Sequence, residues 1–222
     1  VFTTNAFRAA SVVRNAAKLP DGRARAIVAN SGNANACTGE RGLRDVDAIC
    51  HFTAELLNVP ESQVYNASTG IIGVKLPMDR IEVGIMDAVA ELSEDGGDSA
   101  ADAILTTDTR AKKAACELGI DGRSVRIGGM CKGAGMICPN MATMLGFITT
   151  DAAVEPSLLQ DCLRASVARS FNCLTIDGDM STNDTLILLA NGASGCEISA
   201  WKKPMCRDSF RGVFSSTGCR CF

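Results

Sequence analysis

Residues 132–145 read Lys132-Gly-Ala-Gly-Met-Ile-Cys-Pro-Asn-Met-Ala142-Thr143-Met-Leu, and this stretch decides the interpretation of the chain. It combines a glycine-rich turn that carries one lysine, a Pro-Asn pair that breaks the chain, and an apolar run typical of a strand. A small residue directly before a threonine suits self-cleavage, because the threonine hydroxyl can attack the carbonyl of the residue before it. Cleavage would leave Thr143 as a new N-terminus, whose α-amine, with an ordinary pKa near ~8, serves as the base beside its Oγ. An Ala-Thr pair before a strand is also common without cleavage, so the segment alone leaves both alternatives open.

Composition excludes several classes of function. The chain has 222 residues, enough for one large domain or two small ones, and its apolar fraction of 46% with a mean hydropathy of +0.12 indicates a globular protein. The formal net charge is −3 and no basic block precedes residue 200, which argues against nucleic acid or an anionic membrane as the main partner. No apolar run reaches the length of a membrane span, and the first residues lack a signal-peptide pattern.

The eleven cysteines do not predict a metal site. No Cys-x-x-Cys spacing occurs, and the sole histidine, His51, lies inside a helical pattern, so no zinc site is expected. Cys162, Cys173 and Cys196 lie in apolar surroundings and are predicted to be small buried residues with reduced thiols, as in a cytosolic protein.

The run Asp177-Gly-Asp-Met-Ser-Thr-Asn-Asp184 resembles a calcium-binding loop at first sight. A calcium loop needs glycine at its sixth position and glutamate at its twelfth, but this chain has Thr182 and Leu188 there. We therefore interpret the run as a turn held by hydrogen bonds from side chains to the backbone.

The hydrophobic periodicity favours a layered α/β or α+β domain. Helices are predicted over residues 6–19, 43–58, 79–92, 99–105 and 156–171, and the first is expected to bury Phe7, Val12 and Val13. Strands are predicted over residues 24–29, 65–73 (strand, then turn), 145–149 and 185–190. A polar loop is predicted over residues 30–39, and a hairpin over 112–128 because Asp121-Gly122 is a strong turn signal.

The segment around Thr143 resembles the processing site of the ornithine acetyltransferase family, the bifunctional glutamate N-acetyltransferases of arginine biosynthesis. Members carry a lysine, a Gly-x-Gly-Met turn and Pro-Asn-Met-Ala-Thr-Met-Leu, and are cut between the alanine and the threonine. The resemblance runs from Val1 to about Gly195. Two further segments carry it: Val28-Ala-Asn-Ser-Gly-Asn-Ala-Asn-Ala-Cys-Thr-Gly39 and Phe171-Asn-Cys-Leu-Thr-Ile-Asp-Gly-Asp-Met-Ser-Thr-Asn-Asp184.

The resemblance implies a fold and an activity. The fold is a sandwich of sheets between helix layers, like that of self-processing N-terminal nucleophile enzymes, with Thr143 opening a central strand. The activity is acetyl transfer from N-acetylornithine to glutamate through an acetyl-threonine, and some members use acetyl-CoA as a second donor. It also implies a cytoplasmic enzyme without metal or organic cofactor, assembled as an α2β2 tetramer in which residues 1–142 form the α piece and residues 143–198 begin the β piece.

The resemblance also assigns site residues. Thr143 is the nucleophile and Ala142-Thr143 the cleavage site, while Thr69 and Gly70 form the oxyanion hole and Lys132 and Thr106 bind substrate together with Thr143. The residues alone favour an ordinary turn after a strand for Thr69-Gly70 and a solvated side chain for Lys132. For Thr106 the alternative is a turn after a helix.

The end of the chain departs from the family pattern. Residues 201–222 contain five basic residues and only one acidic residue, together with three cysteines. They show neither helical nor strand periodicity. The family continues instead with a long helix, a loop that brings a glutamate to the site, and a segment that brings an asparagine and a hydroxyl. We therefore expect residues 199–222 to be an atypical, frameshifted tail, and the chain to be a fragment clipped at both ends.

Two alternatives to the acetyltransferase stay open. One is a self-processing amidohydrolase or aminopeptidase of similar fold, which transfers its acyl group to water. The other is an inactive fragment that lacks the C-terminal catalytic residues and aggregates through uncovered apolar faces.

Overall fold

Helices and strands are mixed without strict alternation in the computed structural model, which describes residues 1–19, 22–136 and 144–198. The helices are α1 (Ala10–Ala17), α2 (Gly39–Leu57), α3 (Met78–Ala90), α4 (Gly97–Ala103) and α5 (Pro156–Val167). The strands are β1 (Ala26–Asn33), β2 (Val64–Ile71), β3 (Lys112–Ile120), β4 (Arg123–Lys132), β5 (Leu145–Thr150), β6 (Ala153–Val154), β7 (Thr185–Ala190) and β8 (Glu197–Ile198). Short 3₁₀ turns cover Glu61–Gln63 and Phe171–Cys173.

The largest sheet of the described residues has the strand order β3-β4-β5-β7. The first two pairings are antiparallel and the third is parallel, so that Leu145 lies between Lys132 on one side and Thr185 on the other. A second sheet pairs β1 with β2 in parallel, and a third pairs β6 with β8.

Alternating side chains on β5 place this strand in the middle of the layers. Leu145 and Phe147 pack against Tyr65 and Ala67 of β2, whereas Ile148 faces the other way, into a cluster that holds the apolar side of α5. On its far side the β1–β2 sheet packs against α1 and α2. The order is therefore helix, sheet, sheet, helix, which confirms the predicted sandwich of sheets between helix layers.

Local signals account for the clearest helix boundaries. Glu155 caps α5, because its carboxylate accepts the N–H groups of Ser157 and Leu158, and Pro156 occupies the first helical position. Helix α2 ends at Asn58, which adopts the left-handed conformation with φ 51°.

The first helix begins later than predicted. It starts at Ala10, because the side chain of Asn5 accepts the N–H of Phe7 and holds the preceding residues in a turn. Val12 is fully buried as expected, whereas Phe7 and Val13 are exposed, so the prediction that all three face the core was wrong for two of them.

Other boundaries differ for reasons of tertiary pairing. Strand β1 continues through Asn33 into the predicted polar loop, because β2 offers it a parallel partner as far as Ile71. Helix α5 stops at Val167, and Cys173 is exposed rather than buried because Phe171 occupies the buried place in the turn that follows. The strands β6 and β8 were not predicted.

Candidate active site

Lys132 is the centre of the candidate site. It is the last residue of β4, only 4% of its surface is exposed, and its Nζ donates to Thr69 Oγ1 at 3.1 Å and to Thr106 Oγ1 at 2.8 Å. Three of the residues predicted from the sequence therefore meet at one ammonium group. The alternative of a solvated lysine in a glycine turn is wrong, because the side chain is buried and lies at the end of a strand.

Three separate elements position these side chains. Thr69 lies near the end of β2, Thr106 in the turn after α4, and Lys132 at the end of β4. Burial lowers the pKa of Lys132, while the carboxyls of Asp108 and Asp184 act to raise it and the neighbouring cation Lys112 acts to lower it. The site thus holds a lysine that is less basic than a solvated one.

A buried ion pair braces the turn that follows Lys132. Lys112 Nζ lies 2.5 Å from Asp108 Oδ1 and donates to the carbonyl of Gly133 at 2.6 Å, and the N–H of Gly133 donates to the same carboxylate at 2.8 Å. Burial alone would raise the pKa of Asp108, but these hydrogen bonds and the charges of Lys112 and Lys132 hold it below its ordinary value. The ionised pair fixes the backbone directly after the site lysine.

Gly70 occupies a position that only glycine fits. Its φ is +134°, and a Cβ built there would lie 2.2 Å from the carbonyl carbon of Gly32 and 2.5 Å from the amide nitrogen of Asn33. Gly70 and Gly32 are register partners in the parallel pair β1–β2. The close approach of two backbones explains the glycine, because any side chain would push the strands apart.

The polar pair Asn183–Asp184 belongs to the same site, although the sequence predicts only a turn there. Asn183 Nδ2 donates to the carbonyl of Ser68 at 2.7 Å, and Asp184 Oδ1 accepts the N–H of Met144 at 3.0 Å. A usable signal was present, since two polar residues directly precede the buried strand β7.

Asp184 is a fully buried carboxyl group. Burial raises the pKa of Asp184 to about 8, although the Met144 N–H, the Ser181 hydroxyl and the Lys132 ammonium act to lower it. Asp184 Oδ2 has no hydrogen-bond partner among the described residues.

The predicted nucleophile Thr143 and the predicted cleavage partner Ala142 lie outside the described residues. The described chain resumes at Met144, whose N–H reaches Asp184, and at Leu145, which pairs with Lys132. The structure therefore describes the contacts of the two residues that directly follow Thr143.

No group of three or more His, Cys, Asp or Glu side chains is placed to hold a metal ion within the described ranges. His51 lies exposed on α2 beside Glu55 and Glu61. An open groove of about 560 Å³ on the β3–β4–β5 surface includes Glu117 and Arg126 but none of the predicted site residues.

The turn interpretation of residues 177–184 agrees with the structure. Asp177 accepts the N–H of Asp179, and Ser181 Oγ accepts the N–H of Asn183. These side chains hold the backbone of the run that leads into Asp184.

A family model and curated relatives of this chain all belong to one family. A family model described as the ArgJ family matches residues 1–216. Two curated relatives are named arginine biosynthesis bifunctional protein ArgJ. That of Symbiobacterium thermophilum is 55% identical over 195 residues, which cover 88% of this chain and 48% of that protein. That of Caldanaerobacter subterraneus is 48% identical over 192 residues, covering 86% of this chain and 48% of that protein. The chain thus spans about half the length of these relatives.

Solved structures agree with this match. The crystal structure of ArgJ from Bacillus halodurans is 38% identical with a TM-score of 0.58, covering 65% of this chain and 74% of that chain. Ornithine acetyltransferase from Mycobacterium tuberculosis, solved in complex with ornithine, is 39% identical with a TM-score of 0.58, covering 65% of this chain and 75% of that one.

None of the helices in the described ranges combines the length and the apolar character needed to cross a membrane.

Proposed function

Because this chain belongs to the ArgJ family, we propose that it transfers an acetyl group through a threonine nucleophile, Thr143, which self-cleavage after Ala142 exposes. The donor in this proposal is N-acetylornithine and the acceptor is glutamate, and acetyl-CoA is a second donor class to be tested. The names of the curated relatives support arginine biosynthesis, and the ornithine complex of one solved relative supports the donor class.

The observation that best supports the proposal is the convergence on Lys132. An ammonium group has three donors, and the hydroxyls of Thr69 and Thr106 accept two of them among the described residues. The third can meet a substrate carboxylate or a developing oxyanion. Because the group is buried, such a contact is much stronger than it would be in water.

Self-cleavage is the first step. Thr143 Oγ attacks the carbonyl carbon of Ala142, the peptide bond rearranges to an ester, and one water molecule hydrolyses that ester. The products are a carboxylate on Ala142 and a free α-amine on Thr143, which then acts as the base for its own hydroxyl.

Acetyl transfer follows in two halves. The Thr143 α-amine takes the hydroxyl proton while Oγ attacks the acetyl carbonyl, and the same proton leaves with the amine of ornithine. Glutamate's amine then attacks the acetyl-threonine ester, transfers its proton through the α-amine to Oγ, and departs as N-acetylglutamate. In both halves the developing oxyanion would be held at Thr69 and Gly70. The backbone of Gly70 is tightly constrained, so it would not need to reorganise during the reaction.

Assembly and location complete the proposal. We expect the cleaved pieces, residues 1–142 and the piece that starts at Thr143, to assemble as an α2β2 tetramer in the cytoplasm. The chemistry described above needs neither a metal ion nor an organic cofactor.

The test combines cleavage with transfer. Purified chain is incubated at neutral pH, its mass is measured, and labelled N-acetylornithine is supplied with and without glutamate. Thr143→Ala should stay uncut and inactive, whereas Thr149→Ala, an exposed threonine on β5, should behave as the parent. Cleavage and transfer by Thr143→Ala would contradict the proposal.

The acceptor separates this function from its enzymatic alternative. A transferase forms N-acetylglutamate and leaves little free acetate, while an amidohydrolase releases acetate whether or not glutamate is present. A chain that neither cleaves nor transfers would be the inactive fragment.

A further inference from the structure

Asn183 is hydrogen-bonded to β2, the strand that carries the proposed oxyanion hole. The residue is 6% exposed, and its Nδ2 donates to the carbonyl of Ala34 at 2.6 Å and to that of Ser68 at 2.7 Å. Its Oδ1 accepts the hydroxyl of Thr182 at 2.6 Å. Both amide protons are therefore used on backbone, and one of the two carbonyls belongs to the residue directly before Thr69.

Ser68 is fixed from a second direction. Its hydroxyl donates to Asn30 Oδ1 at 2.7 Å, so side chains hold both its Oγ and its carbonyl oxygen. Since Thr69 and Gly70 follow directly, the orientation of their peptide groups depends on how Ser68 is held.

Asp184 is hydrogen-bonded to Met144, the residue between the proposed nucleophile and β5. Its Oδ1 accepts the N–H of Met144 at 3.0 Å, and the N–H of the next residue, Thr185, donates to the carbonyl of Met144 at 3.0 Å. Its own carbonyl accepts the N–H of Thr3 at 2.9 Å. Met144 is thus held at both its N–H and its carbonyl by two consecutive residues.

This arrangement exceeds what packing alone would require. Asp184 has no exposed surface, and Oδ2 accepts no hydrogen bond within the described part of the chain. A buried carboxyl with an unused oxygen opposes folding, and an apolar residue of similar size would fill the space at a lower cost. Such a group calls for a reason other than stability.

We propose that Asn183 and Asp184 are a pair of positioning residues that set the distance between the oxyanion strand and the nucleophile strand. The proposal rests on the proposed function of Thr143 and Thr69. One peptide unit joins the two side chains, so a movement of β2 relative to the start of β5 must break a hydrogen bond at one of them. Neither residue is assigned a contact with substrate.

The first experiment measures how firmly the two strands are held, in a protein that lacks the proposed nucleophile. In a Thr143→Ala background, amide hydrogen exchange of the parent is compared with that of Asn183→Ala and Asp184→Ala. We expect Asp184→Ala to speed exchange of the Met144 amide, and Asn183→Ala to speed exchange over residues 68–71, each by about tenfold or more, because each loses a hydrogen bond of ordinary strength. Ser166→Ala, which removes a buried hydroxyl in α5, is the matched control and should change neither segment.

The second experiment reads the reaction and includes a rescue. Asp184→Asn keeps an oxygen that can accept the Met144 N–H, so it should cleave and transfer within a few-fold of the parent. Asp184→Ala and Asn183→Ala should lower kcat by about 10²-fold with little change in KM, because they displace groups that act in the transition state.

The outcomes separate the two proposals. Unchanged exchange of Met144 and of residues 68–71 in the alanine variants would overturn the positioning pair, whatever the chain's activity. A second result would also overturn it: the alanine variants lose activity only as far as their melting temperature falls, and Asp184→Asn does not restore activity. A purely structural role predicts that result. If the exchange pattern is as expected but the parent chain does not cleave, the positioning pair stands and the proposed function fails.

Discussion

Replacing Asp184 by asparagine should change how the stability of the fold depends on pH. Burial raises the pKa of Asp184 from 3.8 to about 8. Between these values the folded state keeps a proton that the unfolded chain has released. Rising pH must therefore destabilise the folded state, and the effect ends once the folded carboxyl ionises near pH 8. Asparagine cannot titrate, so the variant lacks this contribution.

The magnitude follows from the shift. Each pH unit between the two pKa values changes the free energy of unfolding by about 1.4 kcal/mol, and the full interval amounts to about 6 kcal/mol. Between pH 5 and pH 8 the parent should lose about 3–4 kcal/mol relative to Asp184→Asn.

Urea denaturation at pH 5, 6, 7 and 8 measures this difference. Both proteins carry Thr143→Ala so that the chain stays in one piece, and ionic strength is held constant. Subtracting the two curves removes the other titrating groups, because they are common to both. A stability difference that does not vary with pH would contradict the raised pKa of Asp184, since it would mean that Asp184 is already ionised at pH 5 and that the Lys132 ammonium outweighs burial.

The other predictions concern the remaining buried groups of the site. Gly70→Ala should lower the free energy of unfolding by about 2–4 kcal/mol, because its φ of +134° and the backbone within 2.2 Å leave no room for a Cβ; urea denaturation checks this, and an unchanged midpoint would contradict it. Lys132→Met should reduce transfer by about 10²-fold without lowering the melting temperature, since removing a buried charge relieves its desolvation; a matching fall in both would indicate a structural role. Lys112→Met should destabilise the protein by about 3–5 kcal/mol, because it leaves the buried Asp108 carboxylate without its cation. The matched control Lys113→Met, which breaks an exposed ion pair, should cost less than about 1 kcal/mol, and similar losses in the two variants would contradict the distinction.

Much of the layered fold could be predicted where local signals are strong. The Asp121–Gly122 turn gives the β3–β4 hairpin, and Pro156 gives the start of α5. The apolar run at Thr185–Ala190 gives β7 with its observed bounds. In each case the decisive information lies within a few residues of the element.

The errors arise where distant residues decide. The extension of β1 through Asn33 depends on the parallel partner β2, which is about forty residues away in the sequence, and polar side chains such as Asn30 hide the strand pattern. One error has a local cause instead. The Asn5 side chain accepts the N–H of Phe7 and delays the start of α1, whereas the apolar residues Phe7 and Val13 predict an earlier start.

The candidate site shows the same division. Family motifs singled out Lys132, Thr69 and Thr106, and the structure brings them together through hydrogen bonds that no spacing rule predicts. For Asn183 and Asp184 the sequence predicts only a turn, because the backbone atoms that they contact belong to the distant residues Ser68 and Met144.

In the proposed function, the protein produces its threonine nucleophile by cutting its own chain. The intact mass of the purified protein after incubation at neutral pH tests this step. We expect two pieces that divide between Ala142 and Thr143, with the second piece beginning at an unmodified threonine. A single uncut mass, or a cut at any other bond, would contradict it.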